Sequence, residues 1–195
     1  DYLESRARTA FEPANADPDA KYVEEFTYDL STFDYLIAGP HDIRIIRPLR
    51  ELIGEQIHAA NIGSCSSGRL SDLALAARVL KGRHVHPDVR LIVTPISAET
   101  ARQASAAGIT DILLQAGATI TQPGCGGCYS GNLSPLKLGD GERCLSTSVE
   151  TLRGRMGSRE AEVLLGSASV VAASAIEGRI TDPTRYLLDG IEVQA

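Results

Sequence analysis

The chain has 195 residues, of which 43% are hydrophobic, with a formal net charge of -6 and a pI near 5.2. This composition predicts one ordinary globular domain, and the acidic balance, without a Lys/Arg stripe interleaved with aromatic residues, argues against nucleic acid as a partner. No apolar run reaches the roughly 20 residues that span a bilayer, and the first residues lack the order of a signal peptide, so we expect no membrane contact and a cytoplasmic location.

The first 52 residues differ in pattern from the rest. Polar, turn-forming residues at 14–20 are followed by a weak alternation at 22–35, and Gly39-Pro40-His41-Asp42 then interrupts any regular element. We predict that residues 1–52 are a connecting segment from a preceding domain. Residues 53–195 are then expected to form the domain that carries the chemistry.

From about residue 57, short apolar runs alternate with helical stretches. Strands are predicted at 57–62, 90–95, 118–121 and 142–147, and helices at 69–80, 98–107, 110–116, 159–165 and 170–176. This alternation predicts an α/β fold with three layers, α/β/α, built around a mainly parallel sheet that is covered on both faces.

Cysteines follow two of the predicted strands. Cys65 lies just beyond the first strand in Gly63-Ser64-Cys65-Ser66-Ser67-Gly68, and Cys125 and Cys128 lie just beyond the third in Pro123-Gly124-Cys125-Gly126-Gly127-Cys128. Because the carboxyl ends of parallel strands open on one crevice, we expect these loops to converge there. The fourth cysteine, Cys144, falls inside a predicted strand and is expected to be buried and structural.

Three thiolates in glycine-rich loops can hold three corners of a 4Fe-4S cube. The fourth iron is then free to act as a Lewis acid that binds a substrate hydroxyl and carboxylate and helps the hydroxyl leave as water, which is hydro-lyase chemistry.

Two other interpretations of the cysteines stay open at this point. A CxxC pair also occurs in thiol redox sites, although that leaves the position of Cys65 unexplained. A zinc site needs a fourth ligand, for which the chain offers four histidines: His41, His58, His84 and His86. The last two are expected in an exposed loop, and His58 is expected to be satisfied within its strand.

Four further segments lie beside, between and after the cysteine motifs. They are Gly68-Arg69-Leu70-Ser71-Asp72-Leu73, Gly117-Ala118-Thr119-Ile120, Gly154-Arg155-Met156-Gly157-Ser158 and Ala172-Ala173-Ser174-Ala175-Ile176-Glu177-Gly178-Arg179-Ile180-Thr181-Asp182-Pro183. Together with the cysteine motifs, these segments resemble the C-terminal half of the 3-isopropylmalate dehydratase large-subunit family, in the aconitase superfamily. The resemblance covers nearly the whole chain.

The resemblance implies a 4Fe-4S cluster held by Cys65, Cys125 and Cys128. It also implies a dehydration and rehydration that moves a hydroxyl between neighbouring carbons of a small malate-type hydroxy acid. Arg155 matches a family arginine that binds a substrate carboxylate, as suits a rigid guanidinium fork. The implied partners are a small subunit with a mobile domain and the N-terminal remainder of the large subunit, and no catalytic acid or base is assigned within this chain.

The chain departs from the family in two loops. Ser66 and Ser67 stand where relatives have Thr-Asn, and Val149-Glu150-Thr151 stands where relatives have Asn-Arg-Asn. Glu150 places a carboxylate where an anionic substrate is expected, so it should weaken the binding of an ordinary dicarboxylate, and Arg153 partly replaces the lost positive charge. We expect a substrate with one carboxylate fewer or with a positive group. The alternative is a non-catalytic, cluster- or metal-binding relative used for assembly or sensing.

Overall fold

The computed structural model describes residues 3, 4, 6–148 and 150–188, and it contains two compact units, Asp1–Phe33 and Asp34–Ala195. In the first unit, Asp29 begins a short 3-10 helix, Leu30–Thr32, because its carboxylate accepts the backbone N–H of Ser31 at 2.9 Å. All of the predicted site residues belong to the second unit.

The described part of the second unit contains seven strands and five α-helices. The strands are β1 (Leu36–Ala38), β2 (Ile46–Pro48), β3 (Ala59–Gly63), β4 (Arg90–Thr94), β5 (Thr119–Ile120), β6 (Arg143–Ser146) and β7 (Glu162–Leu165). The helices are α1 (Leu70–Leu80), α2 (Ala98–Ala106), α3 (Ile109–Gln115), α4 (Ala168–Glu177) and α5 (Thr184–Leu188). In these residues no helix is both long and apolar enough to cross a membrane.

The seven strands form one sheet in the order β2-β1-β7-β6-β3-β4-β5. Strands β3 to β7 run parallel to their neighbours in this set, whereas β1 is antiparallel to both β2 and β7. The predicted α/β class and the mainly parallel sheet are therefore confirmed.

The two faces of the sheet are covered differently. Along β3, Ala60 and Ile62 belong to one core cluster and Ala59 belongs to the other. Each helix contributes residues to the first cluster, and none of the described helices contributes to the second, which is completed from loops by Cys128, Leu136, Leu138, Met156 and Ala161. Helices were predicted on both faces of the sheet, but in the described residues one face is covered by loops.

The direction of the strand connections explains this difference. The steps from β3 to β4 and from β4 to β5 move the same way across the sheet, so right-handed crossovers place α1, α2 and α3 on one face. The steps from β5 to β6 and from β6 to β7 move the opposite way, so their connections cross the other face. Residues 121–142 and 147–161 make these connections, and their described residues contain no helix.

Short polar signals set the helix boundaries. The hydroxyl of Ser97 accepts the backbone N–H of Thr100 at 3.1 Å and begins α2. The carboxylate of Asp72 accepts the N–H groups of Gly68 and Arg69, each at 3.0 Å, which fixes the entry into α1 directly after the Cys65 loop. At the other end of the domain, α4 stops at Gly178, whose left-handed φ of 70° suits glycine.

One predicted element is wrong. Residues 159–165 were expected to be a helix, but Glu162–Leu165 is strand β7. Val163 faces the second core cluster and Leu164 faces the first, so both sides of this strand are buried. A short apolar run that is buried on both faces cannot be distinguished from a buried helix by periodicity.

The sheet also begins earlier in the chain than residue 53. Strands β1 and β2 fall within residues 1–52, and the division between the two compact units lies after Phe33. The role of residues 1–52 as a connection to a preceding domain stays a prediction.

Candidate functional site

The loop that carries Cys65 starts directly after β3 and is fixed to the end of β6. The backbone N–H of Gly63 donates to Thr147 Oγ1 at 2.8 Å, and the hydroxyl of Ser67 lies 2.8 Å from the same atom. Cys65 itself is exposed. The loop is therefore held at both ends while its thiol faces outward.

The CxxC motif follows β5 and forms a tight turn. The backbone N–H of Cys128 donates to the carbonyl of Cys125 at 2.9 Å. Cys125 is exposed and lines a cavity with Thr121 and Tyr129. Cys128 is only 4% exposed and packs in the second core cluster, on the loop-covered face of the sheet.

Both cysteine loops contact one residue, Thr94, at the end of β4. A Cβ atom added to Gly126, in the CxxC turn, would lie 2.0 Å from Thr94 Oγ1. A Cβ atom added to Gly63 or to Gly68, which flank the Cys65 loop, would lie 1.9 Å or 2.4 Å from the Thr94 carbonyl oxygen. Only glycine permits these approaches, so the two loops meet at the carboxyl-terminal edge of the sheet.

Although their loops meet, the three thiols do not form a ready-made metal site. In the part of the chain that the structure describes, no three His, Cys, Asp or Glu side chains form a group that could hold a metal ion. Cys65 and Cys125 are exposed, whereas Cys128 is turned into the core beside Cys144. The ligand set Cys65, Cys125 and Cys128 therefore stays a prediction, although all three are free cysteines on adjoining loops.

Cys144 is unsuited to be a further thiolate ligand. It is fully buried in β6, and burial raises the pKa of its thiol to about 12. The thiol therefore stays protonated at neutral pH, as expected for a structural cysteine.

Alkylation of the folded chain should distinguish these cysteines. At about pH 8, iodoacetamide is expected to modify Cys65 and Cys125 within minutes and to leave Cys128 and Cys144 largely unmodified, because only exposed thiols with accessible thiolate forms react. Peptide mass spectrometry checks this result, with the urea-unfolded chain, in which all four react, as the control. Equal modification of Cys144 and Cys65 in the folded chain would contradict the structure.

Three of the four histidines, His58, His84 and His86, do not lie where a shared zinc site needs them. His58 precedes β3 and His86 precedes β4, so both lie at the amino end of strands whose carboxyl ends lead to the cysteine edge. The five residues of β3 separate the two edges by about 16 Å. The Nδ1 atom of His58 already accepts the N–H of Arg143 at 3.0 Å, and His84 lies in the same connection as His86.

His41 occupies a different place, in the hairpin between β1 and β2. Its φ is 69°, its N–H donates to the carbonyl of Thr151 at 3.0 Å, and its Nδ1 atom is buried without a partner among the described residues. The positions of His58, His84 and His86, unlike that of His41, lie at the opposite edge of the sheet and argue against a zinc site that combines any of these three with the cysteines.

The residues proposed for substrate binding lie on the connection from β6 to β7. Val149 lies outside the described residues. Glu150 is half-buried and lines a cavity together with His41 and Arg44. The structure thus places this carboxylate beside the β1–β2 hairpin.

The two arginines of this connection differ in their surroundings. Arg153 is exposed, and its Nη1 donates to the carbonyl of Arg159 at 3.3 Å. Arg155 is half-buried, and its Nε is shielded from solvent without a hydrogen-bond partner among the described residues. A buried guanidinium N–H that lacks an acceptor is well suited to bind an anion.

Sequence reasoning missed a layer of buried polar residues under the cysteine loops. The amide of Asn61, which is 0% exposed, donates to the carbonyl of Gly63 at 3.2 Å and to the hydroxyl of Ser146 at 3.1 Å. Thr94 shares a hydrogen bond of 2.7 Å with Thr121. The available signal was a polar residue within or at the end of an otherwise apolar strand, since buried polar groups need a specific reason.

Comparisons with known proteins show the family of this chain. The model of the aconitase family (aconitate hydratase) matches residues 47–178. A protein of Methanopyrus kandleri named 3-isopropylmalate dehydratase large subunit 1 is 46% identical over 187 residues, which cover 96% of this chain and 44% of that protein.

Two further relatives carry related names. One from Wolinella succinogenes, a 3-isopropylmalate dehydratase large subunit, is 43% identical over 95% of this chain and 44% of its own length. One from Methanosarcina mazei, named "Probable methanogen homoaconitase large subunit", is 42% identical over 95% of this chain and 46% of its own length. The chain therefore spans less than half the length of these curated relatives.

The family match extends over strands β3 to β7, the cysteine loops and the buried polar residues that connect them. This chain belongs to the aconitase family.

Proposed function

We propose that this chain is the cluster-carrying part of an iron-sulfur hydro-lyase that dehydrates or isomerises a malate-type hydroxy acid, most like the large subunit of 3-isopropylmalate dehydratase. One observation carries the proposal: two cysteine-bearing loops meet on Thr94 at one edge of the sheet, in a chain 46% identical to a protein of that name.

In this proposal Cys65, Cys125 and Cys128 hold a 4Fe-4S cluster, which supplies a Lewis-acidic iron that helps a hydroxyl leave. The chain's own contribution is to present thiols. Two of them, Cys65 and Cys125, are exposed, and the third lies in the same turn as Cys125. The high pKa of the Cys144 thiol keeps that residue out of the ligand set.

Substrate binding is assigned to the connection from β6 to β7. Arg155 binds a substrate carboxylate, which is supported by its half-buried guanidinium and unpartnered Nε. The negative charge of Glu150 disfavours the binding of a second substrate carboxylate nearby. It therefore favours a substrate with one carboxylate fewer or with a positive group. Arg153 offsets part of the charge that Glu150 introduces.

The proposed partners are suggested by the names and the lengths of the relatives. These relatives are more than twice as long as this chain and are named large subunits, so we propose that the remainder of a large subunit and a small subunit with a mobile domain complete the enzyme and carry its acid and base. The four free cysteines suit a reducing compartment, and we place the protein in the cytoplasm.

Anaerobic reconstitution tests the cluster. The chain, treated with ferrous iron, sulfide and a thiol reductant, is expected to bind about four irons and four sulfides and to develop broad visible absorption, because its proposed ligands are three cysteine thiolates on adjoining loops. Binding of about one zinc and no sulfide under the same conditions would contradict the proposal. The loaded chain should then turn over hydroxy acids only when the remaining large-subunit domains and a small subunit are added.

Substitution of Glu150 tests the assignment of the substrate. Relative to the parent, Glu150→Arg is expected to lower KM for dicarboxylate hydroxy acids such as 3-isopropylmalate by roughly 10-fold, because a repulsive charge becomes an attractive one. Assays with the assembled enzyme measure this change, with Glu160→Arg, an exposed acidic residue on the same connection, as the matched control. Efficient turnover of 3-isopropylmalate by the parent would show that Glu150 does not alter the substrate.

A further inference from the structure

We propose that Thr94 is a positioning residue that sets the distance between Cys65 and the Cys125–Cys128 turn. The inference rests on the proposed function where it concerns the cluster. The relative position of the two loops is a property of the chain alone and can be measured without any metal.

The main chain of Thr94 supports the Cys65 loop. Its carbonyl oxygen lies against Gly63 and Gly68, where added Cβ atoms would approach it to 1.9 Å and 2.4 Å. The N–H of Ile96, two residues further on, donates to the carbonyl of Gly68 at 3.0 Å. The loop from Gly63 to Gly68 is therefore closed on the backbone at the end of β4.

The side chain of Thr94 supports the CxxC turn. A Cβ atom added to Gly126 would lie 2.0 Å from the Thr94 hydroxyl oxygen, 2.8 Å from its Cβ and 3.0 Å from its methyl group. The hydroxyl is held by Thr121 Oγ1 at 2.7 Å, and the N–H of Thr121 donates to the carbonyl of Val93 at 2.9 Å. The CxxC turn thus packs against the Thr94 hydroxyl, which its hydrogen bond to Thr121 holds in one orientation.

Thr94 is 0% exposed, so it touches neither solvent nor a substrate and can act only through the loops. Sites built from several loops require their first ligands to be held to within about 0.5 Å, which depends on the residues behind them. Since one residue contacts both loops through different groups, removal of its side chain should release one loop and leave the other in place.

A cross-linking experiment on the cluster-free chain tests this inference directly. Cys65 and Cys125 are both exposed on loops that meet on Thr94, so when loop motion brings the two thiols into contact diamide oxidises them to a disulfide, itself being reduced to the hydrazine, and peptide mass spectrometry follows the rate. Thr94→Ala is expected to slow this cross-link at least 5-fold. Thr94→Ser keeps the hydroxyl and should restore the parent rate to within about 2-fold.

Thr100→Ala is the matched control, because Thr100 is also buried, at 9% exposure, and lies in the first turn of α2, where its backbone N–H and its hydroxyl are hydrogen-bonded to the hydroxyl of Ser97. A slower cross-link in Thr94→Ala than in Thr100→Ala, with rescue by serine, supports the inference. Equal rates in the two alanine variants, or failure of serine to rescue, overturn it.

The loaded chain provides a second readout. The lifetime of the visible cluster absorption under a chelator should shorten at least 5-fold in Thr94→Ala and stay unchanged in Thr100→Ala. If the parent never binds a cluster, the proposed function fails while the cross-linking result still decides the role of Thr94.

Discussion

Replacing Cys65, Cys125 or Cys128 singly with alanine is expected to abolish cluster binding, whereas Cys144→Ala should leave it intact. Each of the first three changes removes one of the three proposed thiolate ligands, and no group of three His, Cys, Asp or Glu side chains that could hold a metal ion is found among the described residues to take over. Cys144 is fully buried, and its thiol has a pKa of about 12, so it cannot substitute as a thiolate. Iron and sulfide analysis after anaerobic reconstitution measures the outcome, with about four irons per parent chain and close to none in the three variants.

The control variant Cys144→Ala tests whether loss of stability alone explains the loss of the iron-sulfur cluster. Cys128 and Cys144 belong to the same core cluster and are similarly buried, so both alanine variants should lose a comparable amount of stability. Urea denaturation of the cluster-free chains checks that equality. Loss of cluster in Cys144→Ala, or its retention in Cys65→Ala, would refute the assigned ligand set.

Arg155→Ala is expected to lower kcat/KM of the assembled enzyme by about 100-fold, which corresponds to about 2.7 kcal/mol of binding in the transition state. The reason is that Arg155 is half-buried, so a carboxylate that binds the accessible part of its guanidinium gains charge-assisted hydrogen bonds where solvent competes poorly. Arg155→Lys should recover little of this loss, because an ammonium cannot reproduce the planar fork.

Arg153→Ala is the matched variant on the same connection. Arg153 is exposed and already donates to the carbonyl of Arg159, so its loss should change kcat/KM by no more than a few-fold. Steady-state kinetics on both variants, with equal cluster content verified by iron analysis, separate the two arginines. Equal effects at the two positions would remove Arg155 from the substrate site.

Much of the fold could be predicted from the sequence, because β3, β4 and β6 are apolar runs with clear turn signals on either side. Strand β7 was misassigned because Val163 and Leu164 are buried on opposite faces, which removes the alternation that identifies a strand. Strands β1 and β2 have only three residues each, too short for a pattern to emerge from the sequence.

For the candidate site, the sequence predicted which loops meet but not how their side chains are arranged. The positions of Cys65 and Cys125 after predicted strands correctly placed their loops at one edge, because parallel strands share a direction. The contact of both loops with Thr94 could not be predicted, since it depends on backbone approach distances at Gly63 and Gly126 that no pattern encodes. Likewise, the burial of Cys128 depends on how the β5–β6 connection folds over the sheet.

The asymmetric covering of the sheet has a consequence for which parts of this domain can change independently of the rest. Glu150, Arg153 and Arg155 all lie on the β6–β7 connection, whose Met156 packs on the face that no described helix covers. Length changes and charge reversals there leave the helical packing of the opposite face untouched. Under the proposed function, substitutions on this connection can therefore change which acid is accepted, while the framework beneath the sulfur-bearing turns stays the same.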